Sequence, residues 1–257
     1  MKKLLFIIVL LACTAVSVCA NGKKDTAQNV PAAAVNTEFI ASTPWTAAFA
    51  DLAGVDGVQS VAPADMRHPP EYEITVSDIK KVSGSKYLLY AGYERMMKTL
   101  GDSAGNVILI KIQTDNSIAT VESQAALIAS YTHTESECEK RIASYRKTIE
   151  DGKALAASEN LSSKKILVHA MQVYLAKDLG LPVTDTFGPG PVTAAQLAKA
   201  EKEGYDIIID NVHNPVASPL MEVCPDAKLV VWRNFPETMG RGALERTVQE
   251  NIDALVK

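Results

Sequence analysis

From about residue 38 onward the chain alternates short apolar runs with stretches of helical period, which is the rhythm of parallel strands joined by crossover helices. In the first half, apolar runs at 38–42, 58–61, 86–91 and 107–111 predict strands; 77–83 and 93–100 predict helices, the second stopped by Gly101. The second half repeats the pattern, with strands predicted at 165–169, 183–186, 206–210 and 228–232. Helices follow three of them: 170–179, ended by Gly180; 194–203, capped by Thr193 with Gln196 and ended by Gly204; and 243–256, with Leu244, Val248, Ile252 and Leu255 on one face.

Between the halves Thr134 and Glu137 make a capping box, and Cys138, Ile142, Tyr145 and Ile149 recur at spacings of 4, 3 and 4. The pattern predicts a single helix over 135–157, with Gly152 as its weak point. Such a helix would rise roughly 35 Å, enough to run along both halves. The expected fold is therefore α/β: two lobes, 37–134 and 161–257, each with a mainly parallel four-stranded sheet flanked by helices, bridged by one long helix within 135–160.

The N-terminus departs from this rhythm. Lys2 and Lys3 precede the apolar run 4–12, and small residues follow, the layout of an export signal over residues 1–20. A membrane span needs roughly 20 apolar residues, and this run breaks at Cys13, Thr14 and Ser17. Val16-Ser17-Val18-Cys19 resembles a relaxed bacterial lipobox, which predicts a lipid anchor at Cys19; cleavage after Ala20 and a box ending at Cys13 are the alternatives. Residues 21–36 carry no apolar period and read as a flexible tether. The expected location is the cell envelope, lipid-anchored or periplasmic.

A net charge of −4, with no Lys/Arg cluster in the body of the chain, argues against nucleic-acid binding. Cys138 and Cys224, the two cysteines of the folded part, are expected free, because one falls on the long helix and the other just before a distant strand. Nothing suggests obligate association, and a monomer is expected. No nucleophile elbow, P-loop or dinucleotide fingerprint is present, and 188–191 reads as a rigid turn because its two prolines remove backbone donors.

Candidate chemistry rests on the histidines, of which there are four. His169 ends a predicted strand, His68 lies in the Pro-rich loop after another, and Asp210 ends a third; open α/β sheets place ligands beyond such carboxyl ends. Two imidazoles and a carboxylate suit zinc or manganese. His213, three residues beyond Asp210, is a fourth candidate. His133 in its Thr-His-Thr setting reads as a solvated cap.

The words His68-Pro-Pro-Glu-Tyr72 and Lys86-Tyr-Leu-Leu-Tyr-Ala-Gly92, then His169-Ala-Met-Gln-Val-Tyr174 with Leu179-Gly180, resemble the zinc- and manganese-binding solute-binding proteins of ABC importers, the TroA/ZnuA type. Asp210 falls where that family ends a strand in an acidic residue, and Asn251-Ile252-Asp253 resembles its closing helix. The resemblance covers nearly all of 37–257. It implies a non-catalytic protein that holds a zinc or manganese ion as cargo between two lobes, with little closure, and hands it to an ABC permease. A metal-dependent hydrolase has no general-base motif to support it. One feature departs from the family: its second histidine has no counterpart, and 115–122 reads Asp-Asn-Ser-Ile-Ala-Thr-Val-Glu, with Glu122 expected in the first turn of a helix. A divergent site, taking an organic solute or a metal chelate, and a non-transport surface lipoprotein are the alternatives that this gap leaves open.

Overall fold

The computed structural model describes residues 35–257; the predicted signal, the lipobox at Cys19 and the tether through residue 34 lie outside the described residues. Strands β1 (Phe39–Ala41), β2 (Gln59–Ser60), β3 (Tyr87–Tyr90) and β4 (Ile108–Lys111) form one sheet in the order β2-β1-β3-β4. Strands β5 (Ile166–His169), β6 (Val183–Phe187), β7 (Ile207–Asn211) and β8 (Lys228–Trp232) form the other, in the order β6-β5-β7-β8. Every pairing is parallel, so both sheets have the same topology and both send their carboxyl ends into connecting loops.

The helices are α1 (Pro44–Leu52), α2 (Val76–Ser83), α3 (Met96–Leu100), α4 (Ile118–Thr132), α5 (Glu135–Ser158), α6 (Val173–Asp178), α7 (Ala194–Glu203), α8 (Ser218–Val223) and α9 (Ala243–Val256). The long helix α5 is where the spacing placed it. Three helices lie outside the spans predicted from the sequence, although a helix at Glu122 was expected. In α1 all but one of the residues are buried, so no polar face reveals the period; its start is nonetheless well signalled by a Thr43/Thr46 capping box and Pro44 in the first turn. Small and polar residues make up most of α4, which is capped by Ser117 and closed by exposed His133 in the left-handed conformation (φ 56°). The third, α8, has only six residues.

Two boundaries shift for physical reasons. Residues 93–95 do not join α3, because Glu94 turns inward: its carboxylate accepts from Ser42 Oγ at 2.5 Å, Ala91 N at 2.7 Å and Gly92 N at 2.6 Å. Residues 170–172 form a 3-10 turn ahead of α6.

Because the central strands β1, β3, β5 and β7 are buried on both faces, their alternate residues enter different cores. Phe39, Ala41 and Leu89 of the first sheet and Ile166, Val168, Ile207, Ile209 and Trp232 of the second all belong to one continuous apolar core with Tyr145 and Ile149 of α5 and Val248 and Ile252 of α9. Ile40 and Leu88 point to an outer layer with Val82 and Met96; Leu167 and Ile208 point to another with Leu220 and Cys224. The two lobes thus share a middle layer and form one compact unit across the described residues. Cys138 and Cys224 are buried and free.

Gly152 has a different role from the one the sequence suggests. It is buried where α5 meets α9, and a Cβ there would lie 2.5 Å from Ile252 Cδ1 and 2.8 Å from Leu179 Cδ2. The glycine permits the close helix approach. Nearer the start of α5, Arg141 is 6% exposed and binds Asp51 at 2.9 Å, Asp56 at 2.8 Å and Glu137 at 3.1 Å. Asp51 also accepts the Gly242 N–H at 2.8 Å, and Arg241 reaches Glu137 at 2.7 Å, so this cluster ties the entry to α9 onto α1 and α5. Burial pushes the Asp51 carboxyl up from its ordinary value, against the pull of the Gly242 N–H and Arg141.

Removing the cation would leave Asp51 buried without its partner. Arg141→Ala should lower unfolding stability by about 3 kcal/mol in urea titration, the range for breaking a buried ion pair. Gly152→Val should cost about 2 kcal/mol by overpacking, measured the same way, although valine alone is a better helix former than glycine.

Candidate ligand cleft between the lobes

Loops at the carboxyl ends of both sheets meet around a cleft of about 280 Å³. The first lobe contributes Thr43 and Trp45 after β1, His68, Pro69 and Pro70 after β2, Tyr93 after β3 and Thr114 after β4. The second lobe contributes Met171 after β5, Asn211 at the end of β7, His213 and Asn214 beyond it, and Asn234 and Phe235 after β8. No lining residue bears a formal charge when the two imidazoles are neutral.

Aromatic packing carries the wall from one lobe to the other. His213 stacks on Phe235 with ring centroids 3.6 Å apart, and Phe235 lies against Trp45 at 6.0 Å. Trp45 Nε1 donates to Asn116 Oδ1 at 3.0 Å; Asn116 Nδ2 donates to the Asn234 carbonyl at 2.8 Å, and the Asn116 carbonyl accepts from Tyr145 at 2.7 Å. Asn116 therefore stands, in the segment where the resembled family has its second histidine, as a hydrogen-bond hub that spans the lobes. Asp115 accepts from the Ser117 N–H and the Thr120 hydroxyl at the start of α4, and Glu122 lies past the first turn of α4, paired with Arg146 of α5.

The four candidate ligands do not converge. Among the described residues no group of three or more His, Cys, Asp or Glu side chains is placed to hold a metal ion. His68 and His213 line the cleft. His68 is exposed and precedes the 3-10 turn Pro69–Glu71 without capping it. His213 is 8% exposed and its Nε2 has no partner. Burial, with Arg233 nearby, pushes its pKa down to about 4, although the backbone of Arg67 favours the protonated ring.

His169 and Asp210 are occupied elsewhere. His169 is fully buried and its Nδ1 accepts the Met171 N–H at 3.1 Å, capping the turn at 170–172. A neutral ring that accepts at Nδ1 carries its proton on Nε2, so Nε2 has no lone pair to offer an ion in this arrangement. That nitrogen is also closed in: a Cβ on Gly188 would stand 2.5 Å from it, and Phe187 meets the ring edge-on at 5.5 Å. Burial lowers the His169 pKa, partly offset by Asp210. Asp210 accepts from the backbone N–H groups of Asn211 (2.8 Å), Val216 (3.1 Å) and Ala217 (3.0 Å), which folds the loop 211–217 and thereby presents His213.

Residues that sequence reading passed over as site members are Asn234 and Phe235. They follow β8 directly, and the strand-end rule that singled out His169 and Asp210 points equally to them.

No family model and no curated protein matches the chain by sequence. Solved structures do match its fold. The laminin-binding protein Lmb of Streptococcus agalactiae, described as a bifunctional protein with adhesin and metal-transporting activity, superposes with a TM-score of 0.66 at 14% identity over 86% of this chain and 98% of its own. The chain has the fold of this binding-protein group. The solute-binding protein FpvC of P.aeruginosa, solved with Ni2+, gives 0.61 at 16% identity over 87% of this chain and 96% of its own. The Mn-bound periplasmic metal-binding protein of candidatus liberibacter asiaticus gives 0.58 at 15% identity, covering 86% and 98%. These neighbours are binding proteins. No helix of the described residues is long and apolar enough to cross a membrane.

His213 sets a pH dependence whose sign follows from its depressed pKa. Below about pH 6.5 the unfolded chain takes up a proton that the folded protein refuses until about pH 4, so stability falls as pH drops through that window, and His169 adds in the same direction. Thermal unfolding midpoints between pH 7 and pH 4.5 should decline, and His213→Leu should flatten the decline.

Proposed function

We propose that this chain is an exported solute-binding protein of an ABC importer, anchored by lipid at Cys19, that takes a divalent transition metal, zinc or manganese, as cargo in the inter-lobe cleft and delivers it to a permease. The observation that carries this reading is the pairing of His68 from one lobe with His213 from the other around a single cleft at the carboxyl ends of both sheets. His213 Nε2 is buried without a protein partner, as is His169 Nε2, and an unpartnered imidazole nitrogen is the kind of donor that a metal of the zinc class takes.

On this reading His68 and His213 touch the cargo. Asp210 and His169 serve them indirectly, Asp210 by folding the loop that holds His213 and His169 by capping the turn that carries Met171 into the cleft. Lobe closure is not needed for capture, because Asn116–Asn234, Asp51–Gly242 and the 2.6 Å bond from Ile118 N to Asp178 already lock the halves together.

Elemental analysis of the exported protein, followed by zinc and manganese titration of the stripped form in a calorimeter, tests the reading. About one metal per chain is expected, with affinity lowered roughly tenfold or more in His68→Ala and in His213→Ala. His169→Ala should instead lose about 2 kcal/mol of stability, as a buried cap, with affinity changed about twofold at most. Loss of binding in His169→Ala with His213→Ala unaffected would reverse the ligand assignment.

A further inference from the structure

Most of the wall between the strand ends is carbon. Trp45, Tyr93 and Phe235 contribute aromatic rings, and Pro69, Pro70 and Met171 contribute apolar surface, around about 280 Å³. That volume is near the lower end for small-molecule sites, and a concave apolar cleft with a few convergent polar groups is the usual form of such a site.

The lining contains no Asp, Glu, Lys or Arg. Arg233 and Glu237 lie beside His213, but they pair with each other in an adjoining recess that shares His213 and Phe235 with the cleft. His213, its pKa pushed down to about 4 by burial, is neutral at physiological pH. An ionised solute would give up its hydration here with no opposite charge to receive it.

Two buried amides supply the polar selection. Asn211 pairs with Trp232 across β7 and β8, so Asn211 and Asn234 stand on adjacent strand ends. Asn211 Oδ1 accepts the His213 N–H at 3.0 Å, and Asn234 Oδ1 accepts from Gln172 Nε2 at 2.8 Å. Each oxygen is thus occupied, and among the described residues neither Nδ2 donates to a protein acceptor or is sealed off from solvent. Donors left without a protein partner at the floor of an apolar cleft select a ligand that brings acceptors, because a buried N–H left unpaired is costly.

We infer that the cleft binds a small, uncharged, planar organic solute bearing carbonyl-type acceptors. Its ring lies against Trp45 and Phe235, and its acceptors meet the Nδ2 donors of Asn211 and Asn234. The inference does not rest on the metal reading: rings and amides hold this ligand, with no ion taking part.

Calorimetric titration of the exported protein in EDTA tests it with matched probes: nicotinamide against nicotinate, uracil against orotate, and oxindole against indane. Each uncharged carbonyl compound then faces a counterpart that is ionised or lacks the acceptor. At least one uncharged carbonyl compound is expected to bind about tenfold or more tightly than its counterpart. That affinity should fall about tenfold or more in Trp45→Ala and in Asn234→Asp, which keeps the oxygen that accepts from Gln172 and removes the donor. Phe235→Leu should weaken binding in the same direction and replaces Trp45→Ala if that variant does not fold. Counterparts binding as tightly as the carbonyl compounds, affinity unchanged in these variants, or no probe binding in EDTA would each overturn the inference while leaving the metal reading to elemental analysis. A carbonyl compound that binds only after zinc is restored would also overturn it, and would support the metal reading instead.

Discussion

One apolar core shared by two sheets is the constraint on which the rest of this molecule depends. Strands such as Ile166-Leu167-Val168 and Ile207-Ile208-Ile209 are apolar at consecutive positions because the centre of the sheet is covered on both faces, and their inward residues meet those of the first sheet through α5 and α9. Gly152 lets the two helices approach, and the buried Arg141 cluster fastens the beginning of α9 to the first lobe. With the middle layer shared, the lobes cannot open without breaking a core, and the cleft between their strand ends is preformed.

A preformed cleft assigns the work to loops. Asp210 looks like a ligand when read along the chain, yet its carboxylate is surrounded by backbone N–H groups and organises the loop that carries His213. His169 is similarly absorbed into the start of a turn. What reaches the cleft is one histidine from each lobe, three asparagines and a set of aromatic and apolar walls.

Asn116 links these two levels. It joins Trp45, Asn234 and Tyr145, and so positions a cleft wall while binding the lobes to each other. A polar side chain at this junction adds rigidity to the site, a different contribution from that of a metal ligand in the same segment of the chain.

The chain's own pattern was enough for the strand and helix rhythm, the long helix α5, an exposed cap at His133 and the placing of chemistry at strand ends, because period, capping residues and glycine stops are local properties. It did not reveal α1, whose residues are buried almost all round and so show no polar face, or the inward turn of Glu94, which depends on Ser42, 52 residues away. Which strand-end side chains would face the cleft was likewise beyond it. His169 ends one strand and His213 lies just beyond another; only the partners met in three dimensions, Met171 N and Gly188 for one and the stacked Phe235 ring for the other, decide that the first is enclosed behind a turn and the second stands in the cleft wall. Local sequence determines where a donor sits on its element, whereas the orientation of its lone pair depends on neighbours from other parts of the chain, which only the tertiary structure brings together.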